Sequence, residues 1–305
     1  MESSDKLQTY HTVYNLIRDN TRYKVNFIAK HLGLSGIGRT KSTASKYINE
    51  MYNKKISLRP NLILKGYENC TTKAYFLKTK NRQDLTTAYL NLMKRSDISY
   101  LLFLSGIYDF FVTSRYNLSF DKSLSVKEST LMYDPIYTNP LNWNREIKKS
   151  FSKIANSSLV KGNLEREIGD FLPWNEVHFN IFDTMKNNAQ MPFSHVKRKI
   201  KISQTTIKKY FLNDILPYCD IAHYFFPDGY DTYLQSMIIL KTDYEKGLVD
   251  QLYKLPCTTY VYPLENKLVL IIFHKGINHV MYTFKKFEEK GFVRESLLLI
   301  PLHWE

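Results

Sequence analysis

Seven basic side chains and no acidic one fall between Met185 and Tyr210: Lys186, Lys197, Arg198, Lys199, Lys201, Lys208 and Lys209. Cations clustered in this way neutralise phosphates, while Gln204, Thr205 and Thr206 among them carry the donors and acceptors that reach base edges. Arg39, Lys41, Ser42, Ser45 and Lys46 repeat the mixture near the start of the chain, with Lys54, Lys55 and Arg59 close by. The chemistry this implies is binding to double-stranded DNA.

Other residue types lead less far. Gly33 to Thr40 has the glycine spacing of a phosphate-binding loop, but Arg39 stands where that loop requires Lys, and a helical pattern precedes it. Cys219, Asp220 and His223 lie close enough in sequence to hold a metal, yet a zinc site usually needs four convergent ligands and a fourth is not signalled. Neither a Ser/His/Asp set nor a carboxylate pair stands out. The expectation is therefore a chain without catalytic residues, metal or cofactor, and not an enzyme.

Composition agrees with a polyanion partner. Lys plus Arg exceed Asp plus Glu by 43 to 29, a net charge of +14 over 305 residues, so the long-range field attracts nucleic acid or an anionic surface. No apolar run approaches the roughly 20 residues a membrane span needs. Three cysteines without a CxxC pair fit a reducing compartment, and a cytoplasmic location is expected. The 23 Tyr and 18 Phe supply ample core for several modules.

The elements that must position these residues occur twice. Val25, Ile28, Leu32 and Leu34 align with Phe193, Val196, Ile200 and Ile202, each 168 positions on. Gly66-Tyr67 and Leu77-Lys78-Thr79 align with Gly229-Tyr230 and Leu240-Lys241-Thr242, each 163 positions on. After a further slip, Tyr100 meets Tyr260 and Phe110-Phe111-Val112 meets Leu270-Ile271-Ile272. In each copy, three short segments of helical periodicity precede an alternation of strand and helix patterns. Ser203 and Thr40 are suited to cap the third helices, and residues 56–64 read as a wing strand. The order predicted for the second part of each copy is βαββαβ, with a weak helix near Phe120 to Glu128 in the first.

The fold class expected is thus α+β: two winged helix-turn-helix domains (1–64 and 173–228), two ferredoxin-like domains (65–140 and 229–305), and a basic, mostly helical linker (141–172). A helix-turn-helix followed by βαββαβ, with Ser105-Gly106-Ile107-Tyr108-Asp109 at the turn between the second and third strands, resembles the Lrp/AsnC family of transcription regulators. That resemblance implies a sequence-specific DNA-binding regulator whose sensor domains pair, as a homodimer or higher homo-oligomer, and take a small-molecule effector at Gly106 and Asp109. The second copy departs from it, with Leu264-Glu265-Asn266-Lys267 at the same turn. Siroheme decarboxylases resemble the same fold, and for that alternative His195, His223 and Arg198 are the side chains expected to serve; an architectural nucleic-acid-binding protein is a third reading.

Overall fold

The computed structural model describes residues 4–34 and 40–304. Three helices open the chain, α1 (Ser4–Asp19), α2 (Val25–His31) and α3 (Thr40–Asn53), and are followed by strand β1 (Asn61–Leu64). Then come β2 (Thr72–Thr79), α4 (Leu85–Met93), β3 (Tyr100–Ser105), β4 (Phe110–Ser114), β5 (Leu124–Met132) and β6 (Ile136–Tyr137). Helix α5 (Ile147–Ala155) leads into a second triplet, α6 (Glu176–Met185), α7 (Phe193–Ile200) and α8 (Gln204–Tyr210), followed by β7 (Cys219–Ala222). The chain closes with β8 (Leu234–Lys241), α9 (Glu245–Leu252), β9 (Tyr260–Pro263), β10 (Leu268–His274), α10 (Ile277–Glu289) and β11 (Glu295–Trp304).

Burial follows the same spacing at the level of single side chains. Helix α1 buries Tyr10, Val13, Tyr14 and Ile17, and α6 buries His178, Ile181, Phe182 and Met185. Both sets follow the i, i+3, i+4, i+7 spacing of one helix face, and each member of the second lies 168 positions after its counterpart. Asn175 starts α6 by accepting from the Val177 and His178 amides, and Ser203 caps α8 by accepting from the Thr206 amide, as its side chain predicts. The two triplets touch through Arg22, whose guanidinium lies over the rings of Phe193 and Phe211, 4.2 and 4.4 Å from their centroids.

Among the described residues nine strands form one antiparallel sheet in the order β5-β2-β4-β3-β11-β8-β10-β9-β6, while β1 pairs separately with β7. The halves join through β3 and β11, with Ile300 opposite Ser105 and Trp304 opposite Leu102. At the far end Met132 bridges Leu264 and β6 pairs with β9, so the sheet curls back on itself. Phe76, Leu102 and Phe111 of the first half and Met237, Tyr262 and Leu270 of the second share one core. Strand β10 is buried along its whole length, as expected of a strand covered on both faces.

Three expectations are corrected. The segment near Phe120 to Glu128 is not helical: Asp121 turns the chain by accepting from the Ser123 amide at 2.8 Å, and Leu124–Met132 runs as β5, in keeping with its Ser, Val and Thr content. Between 141 and 172 only α5 is helical; the rest runs irregularly and is tied down by the Arg166–Glu245 ion pair at 2.6 Å. The ladders also move the register of β4. Tyr100 faces Thr113 in one half and Tyr260 faces Ile271 in the other, so β4 and β10 correspond at 271 − 113 = 158 positions, two fewer than the sequence alignment has. A shift of two preserves which side chains face inward, so hydrophobic pattern cannot detect it.

No helix among the described residues is long and apolar enough to cross a membrane. Burial pushes three histidines down from 6.5, His11 and His274 to about 4 and His223 to about 3. The unfolded chain therefore takes up protons below pH 6.5 that the folded chain refuses. Stability is complete above that pH and falls as the pH drops toward the folded values, by about 1.4 kcal/mol per pH unit for each histidine. Denaturant titrations from pH 7.5 to pH 4.5 should show this decline, with a shallower slope in His223→Asn; a flat profile contradicts the assignment.

Candidate functional site

A half-open cavity of about 410 Å3 lies where the first half of the sheet meets β1, β9 and α6. Alternation along extended chain sets its walls. Tyr260 and Tyr262 are two apart on β9, and Thr113 and Arg115 are two apart at the end of β4; all four line the space. From α6 come Phe182 and, one turn on, Lys186. Tyr100, Tyr137, Tyr224 and Tyr230 complete a tyrosine-rich wall, with Asp134 at its side.

The rings are packed together. Tyr137 meets Tyr224 at 5.4 Å and Tyr260 at 5.2 Å, and Tyr100 meets Tyr262 at 5.8 Å. Burial pushes the hydroxyls of Tyr100, Tyr224, Tyr260 and Tyr262 well above their ordinary value and that of Tyr137 up to about 12, so they are protonated donors at neutral pH. Asp134 accepts from the Gly66 amide at 2.8 Å; burial nevertheless raises its carboxyl above the usual range.

Arg115 differs from the other charged groups here. It forms no hydrogen bond or ion pair with a described residue, and its guanidinium sits 5.0 Å from the Phe182 ring centroid. Loss of solvent pulls its pKa below the ordinary guanidinium value, yet a guanidinium keeps its proton in proteins. A charge that is desolvated and unpaired is costly, and an anion entering the cavity would offset that cost. The arrangement can hold a carboxylate-bearing, largely aromatic molecule and supply protons to it.

The residues singled out from sequence lie elsewhere. Lys197, Arg198 and Lys199 on α7, and Gln204, Thr205, Lys208 and Lys209 on α8, are exposed, and Thr206 is half-buried. Lys41, Ser42 and Lys46 on α3 are exposed as well, Ser45 is half-buried, and Lys46 approaches Glu50 at 3.9 Å. Arg39 lies outside the described residues. His195 and Arg198 are exposed on α7, and His223 is buried between Ser57 Oγ at 2.8 Å and the Tyr14 carbonyl at 3.1 Å; none of the three lines the cavity.

Gly106 and Asp109 have structural occupations. Gly106 has φ +144, a conformation that side chains rarely adopt, and a Cβ added there would run into Leu299 Cδ2 of β11. The Asp109 carboxylate accepts from Lys78 Nζ at 2.7 Å, from the Thr79 amide at 2.7 Å and from Thr79 Oγ1 at 2.6 Å. Burial acts to raise its pKa, but these bonds prevail and hold it below the usual carboxylate range. Neither residue lines the cavity.

What sequence reasoning missed is the tyrosine set, Asp134 and Arg115; Lys186 had been counted only as a phosphate contact. The available signal was weak: tyrosines two apart in Tyr260-Val261-Tyr262, and one cation closing the apolar run Phe110-Phe111-Val112.

No protein-family model matches the chain, and no curated protein sequence does either. Among solved structures it is similar to that of the siroheme decarboxylase NirDL in co-complex with an iron-uroporphyrin III analogue, at 10% identity and a TM-score of 0.51, over 97% of this chain and 92% of that one. A second structure of the same decarboxylase aligns at 9% identity and a TM-score of 0.49, over 97% of this chain and 91% of the other. The shared feature is the mixed α+β fold with its large antiparallel sheet, which fits the Lrp/AsnC resemblance as architecture without assigning the family. The expectation of a non-enzyme is corrected by this finding: the solved structure that is similar over 97% of the chain is that of a decarboxylase.

Removing the Asp109 carboxylate strands Lys78 and Thr79, so Asp109→Ala should lower the unfolding free energy by about 2 kcal/mol. Since the folded pKa is depressed, that contribution is present above the unfolded value of 3.8 and is lost as pH falls through the folded one. Chemical denaturation at pH 7 checks this; unchanged stability would mean that the carboxylate is held for a ligand instead.

Proposed function

We propose that this chain is an enzyme acting on a carboxylate-bearing tetrapyrrole, with decarboxylation of a side chain as the reaction. The observation that carries the reading is the unpaired Arg115 guanidinium in the wall of a tyrosine-lined cavity of about 410 Å3, within the range typical of small-molecule sites. The likeness in fold to a siroheme decarboxylase supports it.

Within this reading the chain's own groups divide the work. Aromatic faces of Tyr100, Tyr262 and Phe182 cover the apolar macrocycle, and Arg115 and Lys186 hold carboxylates at its rim. A carboxylate paired to Arg115 is stabilised in the ground state, which opposes loss of CO2, so Arg115 anchors a carboxylate that does not react. The reacting carboxylate lies toward the tyrosines. There the bond between the methylene carbon and the carboxylate carbon breaks, CO2 leaves, and the electron pair remaining on carbon takes a proton. Asp134, with its raised pKa, and the protonated tyrosine hydroxyls are the donors within the cavity.

The finer architecture belongs to the same proposal. The triplets α1–α3 and α6–α8 are two helix-turn-helix units, and the halves of the sheet are two ferredoxin-like units. The second half retains βαββαβ; the first lacks its second helix. The order β5-β2-β4-β3 matches β11-β8-β10-β9, strand for strand. The domain limits are those read from sequence, with 141–172 as connector.

The test is incubation of the purified protein with siroheme or iron-uroporphyrin III. An absorbance change on binding and products lighter by whole CO2 units in mass spectrometry are expected, and Asp134→Asn should slow product formation more than it weakens binding. No product under reducing or oxidising conditions, with binding intact, would leave a tetrapyrrole-binding protein without this reaction.

A second reading, duplex DNA binding, rests on Lys197, Arg198, Lys199, Lys201, Lys208 and Lys209, all exposed and without an ion pair among the described residues. Log affinity for a DNA duplex should then fall with log salt by about 0.9 per phosphate contact, and less steeply in Lys208→Ala. A slope near zero rejects it.

A further inference from the structure

Because the chain is duplicated, the walls of the cavity have counterparts in the other copy. With the register fixed by the ladders, Tyr100 corresponds to Tyr260, Thr113 to Ile271 and Arg115 to Phe273. On the helices, at 168 positions, Phe182 corresponds to Tyr14 and Lys186 to Arg18.

The two places are built differently. Phe273, in the place of the guanidinium, has no exposed surface and meets Phe226 at 4.8 Å, Tyr260 at 5.2 Å and Tyr230 at 5.6 Å. Tyr14, in the place of Phe182, stacks on His223 at 4.7 Å and touches Phe225 at 5.1 Å. Phe273, Tyr14 and Phe225 have no exposed surface, so they fill this place and stabilise the fold with no ligand present. At the first place the reverse holds: Arg115 is desolvated, unpaired and faces open volume.

We infer that the protein binds one polycarboxylate tetrapyrrole per chain, with Arg115 as the residue that selects for its carboxylates, and that the second pseudo-equivalent position is a permanent aromatic plug. The inference rests on the proposed tetrapyrrole reading and goes further in fixing the number of sites and the group that sets specificity. Phe273 offers neither charge nor hydrogen bond, so a carboxylate entering there would be buried without a partner.

The experiment is a calorimetric and absorbance titration of the full chain with metal-free uroporphyrin III, a probe bearing the carboxylates but no iron. One equivalent per chain is expected. Arg115→Met should weaken binding at least tenfold, Arg115→Lys should recover most of the loss, and neither should unfold below the wild-type temperature, since Arg115 has no hydrogen-bonded partner to lose. Phe273→Leu should lower the unfolding temperature and leave the stoichiometry at one equivalent per chain. Two equivalents per chain overturn the single site while leaving the tetrapyrrole reading in place. One equivalent with undiminished affinity in Arg115→Met overturns the role given to Arg115. Absence of binding by folded wild-type protein removes the tetrapyrrole reading itself.

Discussion

Neither half of this protein buries both faces of its sheet alone: in the first, α4 covers Tyr75, Leu77 and Phe110, and the opposite face needs the other half. Phe76, Leu102 and Phe111 project from one half into space also filled by Met237, Tyr262 and Leu270 from the other. The hydrophobic gain on joining them is the main force available. The β3–β11 ladder converts it into a fixed geometry by making one sheet of two. Once the sheet curls back at Met132 and Leu264, β9 comes to stand across from β3 and β4. The cavity is what remains where strands of both halves and a helix of the second triplet converge without filling the volume between them.

The charge balance of that space is unusual. Other cations drawn partly or wholly out of solvent are answered: Arg166 by Glu245 at 2.6 Å, Lys78 by Asp109 at 2.7 Å, and Lys267 by Glu128 at 2.5 Å. Arg22 lacks a carboxylate but is held between two rings and by the Met191 carbonyl at 3.1 Å. Arg115 has a single ring and the cavity. A fold selected only for stability has little reason to retain such a group, since exchanging a half-buried cation that lacks a counterion for an apolar side chain is often neutral or favourable.

How far the sequence could be read depends on the range of the interactions involved. Helix faces are local, so the match of Val25 and Ile28 to Phe193 and Val196 is legible in sequence, whereas that of Tyr10 to His178 and Ile17 to Met185 emerges from burial. Strand identity was also visible, but the register of β4 was not, because a slip of two residues leaves the alternation of Phe110 to Ser114 unchanged. The helix expected near Phe120 was a misreading of a segment that β2 recruits as its outer neighbour, with Thr72 opposite Met132. The cavity was hidden for a different reason: its walls span positions from Leu58 to Tyr262, and no spacing rule links residues so far apart. The basic run on α7 and α8 stands out because charge is legible one residue at a time.

The position of β11 bears on how the chain reaches this state. Its partners β3 and β8 are both complete long before Trp304 is made. During synthesis, β3 therefore waits as a bare edge, carrying Leu102 and Leu104 with open backbone donors and acceptors, until about 200 further residues have emerged. Unpaired edges of this kind invite pairing with other chains, and contacts of such long sequence separation form slowly. Until β11 arrives, the β3 edge is therefore open to pairing with other chains, and the late ladder closes it.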